Sequence, residues 1–202
     1  MTDLFDVAAI GNAIVDVISP ADDAFLDAQG LAKGGMTLID EARASHLYSV
    51  MAAGVETSGG SAANTAAGVA SFGGRAAYLG KTARDGLGEV FAADIAHIGV
   101  RFSTPPLESG PTTARCLINV TADGQRTMAT FLGASTLFAP GDVDPAVIEA
   151  SKIVYLEGYL FDPHDAREAF AKAAALARGA GRMLALTLSD AFVVDRHRGA
   201  LL

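Results

Sequence analysis

Hydrophobic positions follow two different spacings along the 202-residue chain. Short apolar runs that stop at a glycine or a polar turn predict buried strands, and longer amphipathic runs predict helices. Strands and helices alternate up to residue 99, which is typical of a parallel α/β sheet. The predicted strands there are 7–10, 15–18, 36–39 and 76–80, and the predicted helices are 22–30, 41–53, 66–72 and 87–98.

The pattern changes after a stretch with three prolines at 104–111. Two strand-like runs follow, at 113–120 and 127–132. The segment between them contains Asp123-Gly124, a dipeptide that favours tight hairpin turns. A hairpin inserted into an α/β chain predicts a flap or clasp on the main layer.

The α/β pattern resumes after the hairpin. Strands at 153–156 and 183–188 flank a helix at 163–178, which Asp162 is predicted to cap. Residues 195–202 have a helical pattern with no glycine or proline to end it. A sheet with about four core strands is incomplete for this fold class, so we expect the natural protein to continue.

Composition narrows the class of protein. Half of the residues are hydrophobic and 19% are charged, which excludes a disordered chain. The net charge of −8 gives no basic footprint for nucleic acid. Cys116 is the single cysteine, so no intrachain disulfide forms. The acidic N-terminus does not resemble a signal peptide, and the longest uncharged run, 57–74, is rich in Gly, Ser, Asn and Thr. We expect a soluble, cytoplasmic protein without membrane partners.

Gly59-Gly60-Ser61 and Asn64 form the first candidate binding motif. The two glycines allow a backbone to approach a ligand closely. The helix that follows offers free N–H groups and the positive end of its dipole, and Asn64 adds an amide one turn later. These N–H groups and the amide suit a hydroxyl-rich or anionic ligand. A tight turn at a helix start explains the same residues without a ligand.

Two carboxylates form the second candidate. Asp16 lies among Val15, Val17 and Ile18, and a carboxylate in apolar company needs a partner. A pair of sugar hydroxyls or a nearby backbone turn would serve. Glu157 closes a predicted strand, and ligands of parallel sheets bind at the carboxyl ends of strands. Asp16, Glu157 and the glycine turn are therefore placed to share one crevice, although Glu157 is also suited to cap a helix or loop.

Five segments of the chain match one known pattern, in order: 11–17, 59–66, 80–88, 126–135 and 157–161. Together they resemble the ribokinase-like (PfkB) family of carbohydrate and nucleoside kinases. The segment at 80–88 departs mildly, because Ala83 stands where many members carry glycine. The last two segments are most similar to the adenosine-kinase-like branch. The resemblance covers nearly the whole chain.

The resemblance implies a three-layer α/β/α sandwich with a small β-sheet lid, incomplete at its C-terminus. Residues 1–202 would be the N-terminal part of one ribokinase-like domain, with lid segments at about 12–40 and 104–135. The implied activity is ATP-dependent phosphotransfer to a hydroxymethyl group of a sugar or nucleoside, with ATP and Mg²⁺ as cofactors. Pairing of lid sheets would make a homodimer.

The resemblance also implies a set of substrate-binding residues. Asp16 would bind sugar hydroxyls, with Asn12 lining the same pocket and the glycine turn holding the sugar from below. Three apolar residues would be lid contacts, Arg126 would approach phosphate, and Glu157 would be a sugar-site acid. The set is Asn12, Asp16, Met36, Gly59, Gly60, Ser61, Asn64, Cys116, Arg126, Phe131 and Glu157, of which Met36, Cys116 and Phe131 are the lid contacts.

Two family segments have no counterpart in the chain. The family's catalytic base is an Asp in a Gly-Ala-Gly-Asp loop, but Arg182 follows Gly179-Ala180-Gly181 here, where a helix C-cap explains the glycines. The Asn-x-x-Glu segment linked to magnesium is also missing. We therefore assign no catalytic or metal-binding residue and expect these 202 residues alone to be inactive. A catalytically incomplete binding fragment is the alternative, and adenosine, ribose and fructose all remain open.

Overall fold

The computed structural model describes residues 5–201, which form ten strands and seven α-helices. The strands are β1 (Phe5–Ile10), β2 (Ile14–Pro20), β3 (Met36–Leu38), β4 (Val55–Gly59), β5 (Ala76–Leu79), β6 (Arg101–Phe102), β7 (Ala114–Val120), β8 (Arg126–Phe131), β9 (Ser151–Glu157) and β10 (Met183–Thr187). The helices are α1 (Asp23–Ala28), α2 (Glu41–Val50), α3 (Ser61–Ser71), α4 (Gly86–His97), α5 (Pro145–Glu149), α6 (His164–Gly179) and α7 (Ala191–Leu201). No described helix is long and apolar enough to cross a membrane.

The first sheet is parallel and has the strand order β10-β9-β1-β5-β6. Alternate side chains of β1 point to opposite faces, as strand geometry requires. Ala8 and Ile10 pack in a cluster that includes Phe170 of α6, whereas Ala9 packs in a cluster that includes Phe91 of α4. Helices therefore cover both faces, and the predicted three-layer α/β/α arrangement is confirmed.

The second sheet is mixed and has the order β3-β8-β7-β2-β4. β7 and β8 form the antiparallel hairpin that the sequence predicts, and β2 runs parallel to β7. Val15 and Val17 of β2 are buried in the core that contains α4, whereas Ile18 is 37% exposed. The face that carries Ile18 and Asp16, called the open face below, is thus turned away from that core.

β4 was not predicted, because its sequence, Val-Glu-Thr-Ser-Gly, lacks an apolar run. Hydrogen bonds to α4 hold this edge strand instead. The carboxylate oxygen Asp94 Oδ2 accepts from the backbone N–H of Ser58 at 2.7 Å, from Ser58 Oγ at 2.7 Å and from Thr57 Oγ1 at 2.9 Å. β4 brings the glycine turn beside β2.

The predicted cap of α6 was wrong. Pro163 occupies the N-cap position, and no side-chain hydrogen bond caps this helix. The carboxylate of Asp162 contacts Arg196 and lies 2.6 Å from Nε2 of His197, both on α7. Because α7 offers two positively charged or polar partners, Asp162 joins distant helices rather than capping its neighbour.

Candidate functional site

Two turns meet at the junction between the sheets. One joins β1 to β2 and contains Asn12, and the other joins β4 to α3 and contains Gly60. Gly60 has a φ of +93°, and a Cβ there would lie 2.4 Å from the carbonyl oxygen of Asn12. Only glycine therefore fits without moving backbone. Close approach of these turns places the start of α3 next to β2.

Asp16 lies against the glycine turn. A Cβ on Gly59 would sit 2.4 Å from the Asp16 carboxylate, so Gly59 makes the room that this side chain occupies. Burial raises the pKa of Asp16 to about 6, although the charge of Arg126 works in the opposite direction. No residue among 5–201 donates a hydrogen bond to the carboxylate. Of the two partners considered for Asp16, a backbone turn therefore does not supply the hydrogen bonds.

The first turn of α3 faces outward beside this carboxylate. Its N-cap residue is Gly60, which has no side chain to cap the helix, and the N–H of Ala62 already donates to Glu157 Oε2. Among residues 5–201, the first-turn N–H groups left for a ligand are therefore those of Ser61 and Ala63. Ser61 and Asn64 are exposed. A helix start with unsatisfied donors carries partial positive charge. Asp16 thus supplies an acceptor, and α3 supplies donors, on neighbouring segments.

Asn12 and Glu157 are close to this junction, but unlike Asp16 their side chains have hydrogen-bond partners within the protein. Both are buried, at 2% and 1% exposure. Glu157 Oε1 accepts from Asn12 Nδ2 at 3.0 Å and from Asn12 N at 3.2 Å, and Oε2 accepts from Ala62 N at 2.7 Å. Burial raises the pKa of Glu157, and these three hydrogen bonds oppose that effect. The interpretation of Glu157 as a helix cap matches this arrangement.

Asp16 has apolar neighbours across the open face. Strand register places Cys116 beside Asp16, Thr130 beside Cys116, and Leu38 beside Thr130. Larger apolar side chains continue the same face and are exposed. We call this group the apolar strip: Ile18 at 37%, Met36 at 44% and Leu38 at 54% exposure.

Arg126 lies at the start of β8 and is exposed. Its charge acts on both Asp16 and Cys116. Phe131 is separated from these residues, because it pairs with Arg115, whose side chain points to the opposite face from Cys116. The Arg115 guanidinium lies 5.8 Å from the centre of the Phe131 ring. The structure therefore brings Met36, Cys116 and Arg126 to the face of Asp16, but not Phe131.

The segment at 80–88 is held by hydrogen bonds and close packing at the start of α4. Asp85 caps α4 by accepting from Gly88 N at 2.8 Å, and it also accepts from Thr113 N at 2.8 Å and Thr113 Oγ1 at 2.7 Å. A Cβ on Gly88 would lie 2.1 Å from the carbonyl oxygen of Ala83. The segment thus joins α4 to the start of β7.

Sequence reasoning missed three residues that shape the site. Gly11 leaves the space for Glu157, since a Cβ there would lie 2.4 Å from Oε2. Ser135 Oγ donates to Asn12 Oδ1 at 2.8 Å. Leu38 joins the open face. The period of two from Asp16 across paired strands could have identified Leu38, but Gly11 and Ser135 act through contacts between segments far apart in sequence.

The reactivity of Cys116, which pairs with Asp16, tests how tightly the side chains around Asp16 are packed. Burial raises the pKa of its thiol to about 11, and the side chain is 7% exposed. About 0.1% of such a thiol is ionised at pH 8, and the thiolate is the reactive form. We expect iodoacetamide to alkylate the native protein at least ~100-fold more slowly than the protein in 6 M guanidinium chloride. Native and denatured rates within tenfold of each other would contradict this packing.

The Mg²⁺ implied by the resemblance would need a group of carboxylate or imidazole side chains within reach of one ion. Among residues 5–201, the group of metal-capable side chains that come within reach of one ion is His164, Asp165 and Glu168. All three are exposed on α6. None of them is hydrogen-bonded to the junction that carries Asp16, and exposed acidic groups are common without an ion. Residues 5–201 therefore place no such group of metal-binding side chains at the junction that carries Asp16.

The fold is an α/β fold with two sheets, and at their junction the carboxylate of Asp16 lies against the glycine turn that precedes α3. The sequence profile described as pfkB family carbohydrate kinase matches residues 35–197. The chain belongs to the PfkB carbohydrate kinase family, which confirms the resemblance and the ribokinase-like fold class.

Two solved structures are similar over nearly the whole chain. The adenosine kinase from Sinorhizobium meliloti is 54% identical, with a TM-score of 0.88. The matched region is 98% of this chain and 60% of the adenosine kinase chain. A probable sugar kinase protein from Rhizobium etli CFN 42 is 50% identical with a TM-score of 0.89, and covers 100% of this chain and 61% of its own. Probable fructokinase-4 of Arabidopsis thaliana is 28% identical over 132 residues, which are 64% of this chain and 40% of that protein. The chain thus spans about 60% of these solved chains.

Proposed function

We propose that the whole protein transfers a phosphoryl group from ATP to the hydroxymethyl group of a nucleoside, and that this chain supplies the acceptor site. The observation that carries the proposal is the carboxylate of Asp16, which is partly buried, accepts no hydrogen bond from residues 5–201 and lies against Gly59, next to the N-cap of α3. A carboxylate desolvated in this way gains most from a ligand that brings hydroxyl donors.

Asp16 has the chemistry to hold two neighbouring hydroxyls of a ribose. Each carboxylate oxygen accepts one O–H, and both hydrogen bonds are charge-assisted. The start of α3 and the amide of Asn64 then bind ribose oxygens from the other side. This arrangement orients the sugar so that its hydroxymethyl group is fixed relative to the junction, which is the positioning part of catalysis.

The apolar strip favours a nucleoside over a free sugar. Ile18, Met36 and Leu38 are exposed on the same face of the second sheet as Asp16, and a purine base would cover apolar surface there. A free hexose or pentose would leave this strip in water. The 54% identical protein named an adenosine kinase supports the same acceptor class. In this proposal the second sheet is the lid that excludes water from the acceptor.

Fructose is the second candidate acceptor. The curated relatives with significant similarity include fructokinases from Arabidopsis thaliana and Solanum habrochaites. A ketohexose also offers neighbouring hydroxyls to Asp16, so the carboxylate alone does not separate the two acceptors. The apolar strip separates them, because only the nucleoside has a surface to place there.

Isothermal titration calorimetry with adenosine, ribose and fructose tests the acceptor class. We expect adenosine to bind at least ~10-fold more tightly than either sugar, which corresponds to about 1.4 kcal/mol. Leu38→Ser is expected to weaken adenosine binding and to leave sugar binding unchanged. Leu184→Ser is the matched control, because Leu184 is 40% exposed on β10 of the first sheet. Tighter binding of ribose or fructose than of adenosine would reject the nucleoside proposal.

A further inference from the structure

Glu157 is a buried carboxylate with no charged partner in the described part of the chain, residues 5–201. It ends β9, is 1% exposed, and receives three hydrogen bonds, all from N–H donors. Two donors belong to Asn12, and the third is the backbone N–H of Ala62 in the first turn of α3. The influences on its pKa are burial and these hydrogen bonds, with no nearby cation among them. The carboxylate is therefore held by neutral donors alone.

The donor set requires a group that only accepts. An ionised carboxylate accepts at both oxygens, whereas a protonated carboxyl or a glutamine amide presents a donor at one of them. Because N–H donors face both oxygens of Glu157, the NH2 group of a glutamine would oppose another donor at either position. A buried donor left without an acceptor is costly. The site thus depends on an acceptor at both oxygen positions of Glu157 as well as on the shape of its side chain.

These hydrogen bonds join the segments that carry the proposed substrate contacts. Asn12 lies immediately before β2, which carries Asp16, and Ala62 lies in α3, which carries Asn64. The network extends further, because Ser135 Oγ donates to Asn12 Oδ1 at 2.8 Å from the segment that follows β8. Glu157 therefore ties the segment that leads to Asp16 to the first turn of the helix that carries Asn64.

Glu157 offers a substrate little access, because it is 1% exposed and N–H donors already occupy three of the about four acceptor sites of its carboxylate. Gly11 packs so closely that a Cβ there would lie 2.4 Å from Oε2 and 2.6 Å from the Ala62 Cβ. We infer that Glu157 is a positioning residue, which fixes Asp16 relative to the start of α3 without contacting the substrate. This role differs from the sugar-site acid implied by the resemblance, and it rests on the proposed function.

The test compares adenosine with 2′,3′-dideoxyadenosine, which lacks the hydroxyls assigned to Asp16. The ratio of the two affinities reports how well Asp16 is placed, and it does not depend on the fraction of folded protein. We expect Glu157→Gln to lower this ratio at least tenfold. Glu149→Gln, a change at an exposed glutamate on α5, is expected to leave it unchanged. A Glu157→Gln ratio within twofold of the wild-type ratio would overturn the inference.

A crystal structure of the wild-type protein with adenosine tests the inference even where Glu157→Gln does not fold. We expect the three N–H bonds to Glu157 to persist and no adenosine atom to lie within hydrogen-bond distance of its oxygens. A ribose hydroxyl bonded to Glu157 would overturn the positioning role. The two proposals fail differently: wild-type protein that binds neither adenosine nor the sugars rejects the proposed function, whereas binding with an unchanged ratio in Glu157→Gln rejects only this inference.

Discussion

Asp16→Asn is expected to weaken adenosine binding by about 100-fold or more while making the free protein more stable at pH 7.5. Hydrogen bonds to a charged group contribute about 1.5–3 kcal/mol each, and two ribose hydroxyls would lose theirs to the carboxylate. Titration calorimetry measures the first effect. An adenosine affinity within tenfold of the wild type would show that Asp16 does not hold the sugar.

The gain in stability follows from the raised pKa of Asp16. Its pKa is about 6 in the folded protein against a usual 3.8, so the folded chain binds more protons than the unfolded chain between these values. The free energy of unfolding that Asp16 contributes is therefore fully present below pH 3.8 and is lost as pH rises through 6. The difference of pKa corresponds to about 3 kcal/mol at most, and partial exposure reduces it.

Asparagine removes this cost, because its side chain is neutral at every pH. We expect Asp16→Asn to melt a few degrees above the wild type at pH 7.5, and the two melting temperatures to converge towards pH 4. Scanning calorimetry at several pH values measures the difference. A wild type that melts above Asp16→Asn at pH 7.5 would contradict the account of an unpaired, desolvated carboxylate.

Gly60→Ala is expected to cause the second large effect, a loss of about 3 kcal/mol or more of stability. Gly60 has a φ of +93°, which strains any residue with a Cβ, and the new Cβ would meet a backbone oxygen at 2.4 Å. A backbone neighbour cannot swing away as a long side chain can. The oxygen is the backbone carbonyl of Asn12, so relief of the clash also moves the segment that leads to Asp16. We therefore expect adenosine binding to weaken as well.

Gly68→Ala is the matched control for this substitution. Gly68 lies in the middle of the same helix, and a Cβ there would meet no atom within 4 Å. Alanine in a helix interior is favoured over glycine by roughly 0.5–1 kcal/mol, so this variant is expected to melt slightly above the wild type. Chemical denaturation compares the two. Equal stabilities for Gly60→Ala and Gly68→Ala would show that the glycine turn is not tightly packed.

The strands and helices that sequence predicts best are those with strong local patterns. The apolar run of β9 and the Asp-Gly turn between β7 and β8 each follow from a few adjacent residues, and both are confirmed. Gly59 and Gly60 could also be chosen from sequence, because paired glycines before a helix favour close approach. Local chemistry was sufficient in these places.

Contacts between distant segments limited the rest of the prediction. Asp162 was predicted to cap α6, but it contacts α7, more than thirty residues away. β4 has a polar sequence and depends on Asp94 of α4 for its position. Whether Glu157 meets substrate or caps α3 was likewise open, since the answer depends on Ala62, 95 positions earlier in the chain.

The affinities of the wild type and Asp16→Asn for adenosine and 2′,3′-dideoxyadenosine test the central claim most directly. If Asp16 receives the ribose hydroxyls, their removal should weaken binding to the wild type by about 100-fold but weaken binding to Asp16→Asn by no more than ~3-fold. Equal losses in the two proteins would mean that the hydroxyls are bound elsewhere and that Asp16 is not the acceptor-site carboxylate.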